Sequence, residues 1–417
     1  MERRTLLAVD FEYWASVDKS SLTPRESSFP FEYYSVFSLD TSKLQSSLST
    51  IPEERNTSLA ESSSILVLPT PEGSMARFRV VNSPIMEPGL AEKFPTIQTY
   101  MGQGVDDPAA TLRFDVSPLG FRAQVLGPEG RFYIDPYQTS ETRVYASYRA
   151  TSNDKRPQLP EFTFDGSDSG GVKKDSPVGT NKGGDSDSKV STEIPGGIVS
   201  NRSGTQLRTY RAAVAATGEY TSFHGGTVAA GQAAIVSAIN RINGIYETEL
   251  SIRLVLVANN DLLVYTNAAT DPYTNNDGIA MLTQNQNNVT TVIGNANYDI
   301  GHVFSTGGGG VAGLGVVGIT GQKARGVTGS PSPTGDAFWV DYVAHEMGHQ
   351  FGGNHTFNSP SGSCSGNRNA STAYEPGSGS TIQSYAGICG TDDLQSNSDA
   401  YFHSISFDEI ISYVDNV

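Results

Sequence analysis

The feature that most constrains this chain is the pattern H-E-x-x-H-x-x-G-x-x-H, which runs from His345 to His355. Residues four apart on a helix lie on one face, so His345 and His349 can both face one metal ion. Gly352 can adopt a positive φ without steric cost, which allows a turn that ends the helix and returns His355 as a third ligand. Catalytic zinc usually takes three protein ligands and a water, and imidazole is a frequent ligand. The spacing therefore predicts a metal site made of the three histidines.

Glu346 directly follows the first predicted ligand and lies beside the same metal-facing side of the helix. From there its carboxylate can take a proton from a metal-bound water and pass it to a leaving amine. The alternative is a helix whose histidines lie on a solvated face. The preceding run A-F-W-V-D-Y-V-A, residues 337–344, is apolar and favours a buried helix.

The motif resembles that of the metzincin zinc endopeptidases, and residues 207–414 look like the bacterial reprolysin-like branch, whose members carry an N-terminal propeptide. The H-T-F run at 355–357 is also seen in the pappalysin-like branch, which is the alternative. The resemblance implies an α/β (α+β) catalytic domain with a twisted mixed sheet and a long active-site helix, preceded by a mainly β prodomain. It also implies a secreted, latent endopeptidase that hydrolyses peptide bonds through a zinc-activated water, with Glu346 as general base and acid.

The sequence departs from the family at the Met-turn, where T-I-Q-S-Y at 381–385 has Gln383 in place of the methionine. That methionine packs beneath the ligands as a polarizable apolar floor, whereas a buried amide needs hydrogen-bond partners. Tyr385 matches a tyrosine that in some branches approaches zinc and stabilises the oxyanion, so it is a candidate catalytic residue; the alternative is a core tyrosine. Gln383 also keeps open a catalytically impaired binding or adhesion module with the same fold. A non-protease zinc hydrolase is a further alternative.

Composition and cysteine content limit the partners and the compartment. The formal net charge of −16 makes nucleic acid a poor partner, and no apolar run approaches the ~18–20 residues that span a bilayer. The expected partners are a protein or peptide substrate and the chain's own propeptide as an intramolecular inhibitor. Cys364 and Cys389 would form one disulfide in a secreted enzyme, or two free thiols in a cytosolic protein. Structural Ca²⁺ is unsupported, because the acidic pairs at 165–188 lack the spacing of a calcium loop.

The 417 residues are too many for one ordinary domain. Residues 1–150 predict a β-rich antiparallel meander, because β-like runs at 76–81, 111–116, 121–126 and 131–134 alternate with turn residues. The run at 86–107 resembles the propeptide of the same family, which implies a propeptide-like domain; an unrelated β-module is the alternative. Residues 151–204 are rich in Gly, Ser and Asp and predict a flexible linker with the maturation site. The catalytic domain is expected at 205–417. The apolar run near the N-terminus is too short for a signal peptide, so we expect a processed form or a fragment.

The patterns before the metal helix alternate between strand and helix, which predicts an α/β sheet. We expect strands at 207–216, 251–258 and 299–306 and helices at 227–246 and 278–293. The glycine-rich stretch at 308–318 matches G-x-G-x-x-G twice, but the following residues are glycine-broken and β-branched, which excludes a nucleotide-binding helix. Two interpretations of this stretch stay open. It is either an edge strand along the cleft, on which a substrate backbone could pair, or a surface loop. Near the C-terminus, Ser406 and Glu409 predict a capping box at the start of the last helix. The other histidines, at 224, 302 and 403, are expected to be structural.

Overall fold

The computed structural model describes residues 13–22, 33–138, 141–149, 161–164, 206–307 and 309–417. Most of the predicted linker, including the acidic pairs at 165–188, lies outside these residues. The described residues form two sheets, one N-terminal and one in the region of the metal motif. No helix among them is long and apolar enough to cross a membrane.

The N-terminal sheet is antiparallel, with each described strand hydrogen-bonded in the order β1-β2-β9-β8-β7-β6-β5-β4-β3. Most neighbours in the sheet follow each other along the chain, which confirms the predicted meander. Alternate side chains such as Phe78, Phe114 and Phe121 are buried in one core on its face. Its strands are β1 Trp14–Ser16, β2 Tyr34–Leu39, β3 Ile65–Pro69, β4 Met75–Asn82, β5 Gln98–Gly104, β6 Thr111–Ser117, β7 Gly120–Gly127, β8 Gly130–Gln138 and β9 Glu141–Tyr148, with helices α1 Thr41–Leu48 and α2 Pro88–Ala91 between them.

The second sheet is mixed and has the strand order β10-β14-β15-β13-β11-β12 within the described chain. Its strands are β10 Glu161–Phe164, β11 Arg208–Ala216, β12 Ile252–Leu256, β13 Ile300–Ser305, β14 Gly310–Gly313 and β15 Gly326–Gly329. Its helices are α3 Gly218–Phe223, α4 Val228–Leu250, α5 Gly278–Val292, α6 Asp336–Phe338, α7 His345–Gln350 and α8 Ser404–Val414, with a π-helix at Trp339–Ala344 between α6 and α7. All neighbouring strands are parallel except β14 and β15. The predicted α/β class with a twisted mixed sheet is confirmed.

Within the glycine-rich stretch, Gly310–Gly313 form β14, which is an inner strand of the sheet, and residues 314–318 follow mostly as turns. The predicted edge strand was therefore wrong, because β10 covers the outer side of β14. β14 pairs with β15 on one side, and on the other side with β10 from inside the predicted linker. The β10–β14 pairing is parallel, with Glu161 opposite Gly310 and Phe164 opposite Gly313. The composition of the linker did not predict this short strand.

Helix α4 is buried along almost its whole length between the two sheets. One face contacts the second sheet, where the amide of Asn243 bonds both the N–H and the carbonyl of Leu254, at 2.8 and 2.9 Å. The opposite face contacts the N-terminal sheet through polar side chains; Ser237, for example, donates to Asp115 at 2.7 Å. A helix buried on two sides need not be apolar on both, provided that the polar side chains find partners.

The start of the last helix differs from the prediction. α8 begins at Ser404, and His403 is its N-cap, whose side chain accepts a hydrogen bond from the N–H of Ile405 at 3.2 Å. The predicted capping box from Ser406 to Glu409 was therefore wrong. Glu409 instead accepts two hydrogen bonds from Asn354, from the backbone N–H and from Nδ2, each at 2.8 Å. A histidine nitrogen can replace the usual Ser, Thr, Asp or Asn at a helix start because it can also accept.

The predicted disulfide is present. Cys364 and Cys389 are bonded, are 25 residues apart in sequence, and are both fully buried. The alternative of two free thiols does not hold in this structure.

Candidate metal centre

The motif lies on a buried helix, as the apolar run before it predicted. α7 continues directly from the π-helix Trp339–Ala344, and every residue of both segments is buried. The hydroxyl of Tyr246, on α4, donates to the carbonyl of Ala344 at 2.7 Å. π-Turns are rare and occur often at functional sites, because they change the direction in which the following side chains point.

The turn after α7 returns the third histidine as predicted. Gly352 has φ +93°, which a side chain would strain. A methyl group there would also lie 3.3 Å from the ring of Tyr413. Since Gly352 satisfies both the turn and this close packing, the chain can reverse at once and bring His355 beside His349.

The three predicted ligands converge on one point. Nε2 of His349 lies 2.9 Å from Nε2 of His345 and 3.0 Å from Nε2 of His355. Each ring donates its Nδ1–H to a backbone carbonyl: His345 to Ile382 at 2.6 Å, His349 to Gly353 at 2.6 Å and His355 to Asn367 at 2.7 Å. A carbonyl can only accept, so these bonds fix the tautomer in which Nε2 carries a lone pair.

The donor set fits a metal cation. Burial lowers the pKa of His349 to about 4, and burial together with neighbouring His349 lowers the pKa of His355 well below its usual range. Both rings are therefore neutral at physiological pH. Three lone pairs aimed at each other cannot hydrogen-bond among themselves, and a shared cation would remove their repulsion. Three imidazoles oriented by hydrogen bonds on Nδ1 are a typical zinc donor set.

Glu346 follows the first predicted ligand on α7 and contacts β14 of the second sheet. Its side chain is fully buried, and it packs against the backbone of Gly310 in β14. A methyl group at Gly310 would overlap Oε1 and lie 2.8 Å from Cδ of Glu346. The carboxylate is thus held beside both the three histidines and the strand on which a peptide could pair.

Gln383 lies directly beneath His349, where the family carries its methionine. Its side chain is fully buried, and its Nε2 lies 3.2 Å from the Gly353 carbonyl and 3.2 Å from Nδ1 of His349. Because that Nδ1 donates to Gly353, the carbonyl accepts from both side chains. Its Oε1 fits against Gly348, where a methyl group would lie 2.9 Å from Cδ of the amide.

Tyr385 packs against the metal ligands in an apolar cluster. Its ring centroid lies 4.6 Å from that of His355, 5.6 Å from that of His345 and 4.5 Å from that of Phe357. The ring is fully buried. The structure therefore brings Tyr385 to the site as the sequence predicted, and its catalytic role stays a prediction.

A second buried contact fixes the end of α7. His302 on β13 binds Oε1 of Gln350 through Nδ1 and the hydroxyl of Thr328 through Nε2, each at 2.8 Å. Gln350 in turn donates from Nε2 to the carbonyl of Gly301 at 2.9 Å. The residue that follows the second ligand is thus bonded to β13 directly and to β15 through His302, which supports the expected structural role of His302.

Sequence reasoning did not identify the three carbonyl acceptors or the role of Gln350. The acceptors are backbone atoms of Ile382, Gly353 and Asn367, so their residue types carry no signal. The one signal in the sequence for the role of Gln350 was its position directly after the ligand His349.

Residues 206–413 match the family model described as Metallo-peptidase family M12B Reprolysin-like. Among solved structures, metalloproteinase-II from Bacteroides fragilis is similar with a TM-score of 0.43 and 10% sequence identity, over 88% of this chain and 97% of that chain. No curated protein sequence matches significantly. The family match includes the whole three-histidine motif, whose imidazoles meet around one point. The chain therefore belongs to the reprolysin-like M12B metallopeptidases and is a metalloendopeptidase of the metzincin type.

Proposed function

We propose that this chain is the secreted, latent precursor of a zinc endopeptidase, in which Glu346 serves as general base and then as general acid. The observation that carries the proposal is the convergence of three Nε2 atoms on a helix whose buried Glu346 carboxylate packs against β14. When bound by His345, His349 and His355, zinc supplies a Lewis acid that polarises a carbonyl and makes water acidic near neutral pH.

Glu346 moves the protons in this proposal. Its carboxylate accepts a proton from the attacking water and delivers that proton to the leaving amine, so that one residue serves both steps. Its position is set by Gly310 of β14, which has no side chain to displace it. Tyr385 is the candidate donor to the oxyanion, because its ring packs on two of the ligands.

The substrate of this proposal is an extended peptide that pairs with β14. In an exposed sheet edge the backbone N–H and carbonyl groups bind a peptide of any sequence. The glycines at both ends of β14 allow the peptide backbone to approach closely.

The pairing of β10 with β14 supports latency through occupation of this edge. Residues Glu161–Phe164 take the hydrogen bonds of β14 that a substrate would need. Occupation by the chain itself is intramolecular, so a short strand can compete at a high effective concentration. Cleavage in residues 165–204 would convert this into an intermolecular contact that a substrate can displace.

Ion pairs to α4 and β12 support the N-terminal region as the body that holds this inhibitory strand. Arg113 on β6 pairs with Glu247 on α4, and Arg253 on β12 pairs with both Glu247 and Glu54. The division into a propeptide at 1–150, a linker at 151–204 and a catalytic domain at 205–417 is part of the proposal.

Secretion is supported by the disulfide, which forms and persists in oxidising compartments.

The test of latency uses the full chain with Phe162→Pro and Thr163→Pro together. Successive N–H groups of a strand point in opposite directions, so one of the two prolines removes a bond to β14. Peptide hydrolysis by this variant should exceed that of the wild-type chain before any cleavage. The matched control carries Lys173→Pro and Lys174→Pro, outside β10. Equal hydrolysis by both variants and the wild-type chain would contradict latency through β10. A zinc-loaded, fully cleaved chain without hydrolysis would favour the binding-module alternative.

A further inference from the structure

The disulfide lies in the wall of the metal site. Cys364 and Cys389 are part of a buried cluster with Phe357, Tyr385 and Ile388. The rings of Phe357 and Tyr385 in this cluster contact the ring of His355, with centroids at 5.1 and 4.6 Å. The disulfide thus belongs to the packing around the third ligand.

One end of the disulfide fixes the residue that orients His355. The N–H of Asn367 donates to the carbonyl of Cys364 at 3.1 Å, and Nδ2 of Asn367 donates to the carbonyl of Ser363 at 2.9 Å. The carbonyl of the same Asn367 accepts the Nδ1–H of His355 at 2.7 Å. The carbonyl that sets the tautomer and direction of His355 therefore belongs to the third residue after Cys364.

The other end of the disulfide, Cys389, lies beside the segment that carries Tyr385. The N–H of Ser363 donates to the carbonyl of Ile388 at 2.8 Å, next to Cys389. Sγ of Cys389 contacts the carbonyl of Tyr385 at 3.5 Å. The two segments that the disulfide joins therefore supply the Asn367 carbonyl on one side of His355 and the Tyr385 ring on the other.

None of the three acceptors lies in a strand, but the acceptor of the third ligand is three positions from a cysteine of the disulfide. The acceptor of His349 is Gly353, in the turn directly after α7, and that of His345 is Ile382, which is bonded to Tyr401 through its N–H. Asn367 instead lies in the described stretch 356–374, which has one short 3-10 turn at Gly362–Cys364 and no strand. Without ladder hydrogen bonds, the position of Asn367 depends on local contacts and on the disulfide.

We propose that the Cys364–Cys389 disulfide is a positioning device for the metal centre, which holds the Asn367 carbonyl so that His355 presents Nε2 to the cation. Loss of the disulfide then weakens metal binding by the folded protein. Partners of a metal ligand in the surrounding shell typically contribute about 10–100-fold in metal affinity. The inference rests on the proposed zinc site.

The measurement separates positioning from simple stabilisation of the fold. A cross-link that only restricts the unfolded chain changes the unfolding equilibrium and leaves the zinc Kd of the folded protein unchanged. A cross-link that positions a ligand changes that Kd. Zinc Kd is therefore measured by chelator competition, on the full chain, at a temperature at which circular dichroism shows every variant to be folded.

Three variants are compared with the wild-type chain. Cys364→Ala with Cys389→Ala removes the disulfide and should weaken zinc binding by about 10–100-fold. Asn367→Ala keeps the disulfide but removes the Nδ2 bond to Ser363, so a smaller loss is expected. Asn243→Ala is the control, since it removes buried hydrogen bonds between α4 and β12 away from the site and should leave the Kd unchanged. Co²⁺ in place of zinc adds a spectrum that reports the ligand geometry.

A Kd for the double cysteine variant equal to that of the wild-type chain would overturn the inference, as would an equal loss in Asn243→Ala. If the double variant does not fold, Asn367→Ala decides alone, and an unchanged Kd overturns the inference. A wild-type chain that binds no zinc would refute the proposed function itself, which is a different outcome.

Discussion

Gly310 and Glu346 are packed so closely that no side chain fits between them: a methyl group on Gly310 would overlap Oε1 and lie 2.8 Å from Cδ of the glutamate. Strand β14 and the proposed general base therefore determine each other's positions. A glycine here serves the approach of a peptide and also the placement of the carboxylate.

Gly310→Ala should lower peptide hydrolysis while the metal remains bound. The added methyl displaces the carboxylate, and a displacement of about 1 Å can cost about 100-fold in rate. The measurements are kcat/KM and zinc content of the cleaved enzyme. Gly226→Ala is a control in the loop before α4, where an added methyl group would meet no atom within 4 Å. Full activity in Gly310→Ala would show that Glu346 is not held by this contact.

Arg241→Met should strongly destabilise the full chain. Arg241 on α4 bonds Asp135 on β8 and Asp336 at the start of α6, each at 3.2 Å, and its side chain is 3% exposed. Removal of Arg241 leaves the buried Asp336 without this ion pair, whereas Asp135 keeps its pair with Arg122. Breaking a buried pair from one side costs about 3–5 kcal/mol. The measurement is the free energy of unfolding in urea.

The matched control for this prediction is Arg77→Met. The Arg77–Asp106 pair is at the surface, with side chains 53% and 50% exposed. Such pairs contribute about 0–1 kcal/mol. Equal losses in Arg241→Met and Arg77→Met would mean that the contact between α4 and the N-terminal sheet does not depend on this charge.

Gln383→Met should be at least as stable as the wild-type chain and should keep its metal. Methionine matches the amide in length, and it removes a buried Oε1 for which the described residues supply no hydrogen-bond partner. A buried polar atom without a partner costs about 1–3 kcal/mol, of which the lost bond to Gly353 returns a part. Thermal unfolding and zinc content test this. A large loss of either would show that the amide, and not the apolar volume, is required beneath His349.

His302→Gln should flatten the dependence of stability on pH. Burial lowers the pKa of His302 to about 4, below its ordinary value of 6.5. The unfolded chain therefore binds a proton that the folded chain cannot, so the contribution of His302 is complete above pH 6.5 and is lost as the pH falls towards 4. The slope for one proton is about 1.4 kcal/mol per pH unit. Urea unfolding from pH 4 to 7 with a chelator present should show a smaller slope in the variant; equal slopes would contradict the burial of a neutral ring.

The sequence predicted the metal ligands because the information is local. Spacing on one helix brings His345 and His349 together, and one glycine turn brings His355. The strands β11, β12 and β13 and the helices α4 and α5 were predicted for the same reason, since periodicity is a property of contiguous residues. The meander followed from strands that pair with their neighbours in sequence.

The sequence could not predict contacts that depend on distant pairing. The isoleucines of α4 marked one buried face, but Arg241 and Glu247 on the other face are buried because the N-terminal sheet supplies their partners. The strand β10 has little apolar sequence around it and forms against β14. The orientation of His355 depends on the Asn367 carbonyl, an atom common to every residue.

The most direct test of the account combines zinc content with peptide hydrolysis, for wild type and Glu346→Gln, after the chain has been cut once in residues 165–204. We expect both proteins to hold one zinc per chain, and the variant to lose about 100-fold or more of the hydrolysis rate. Chelation should abolish the wild-type activity, and zinc should restore it. A zinc-loaded Glu346→Gln protein with the wild-type rate, or a wild-type rate that survives complete zinc removal, would contradict the account.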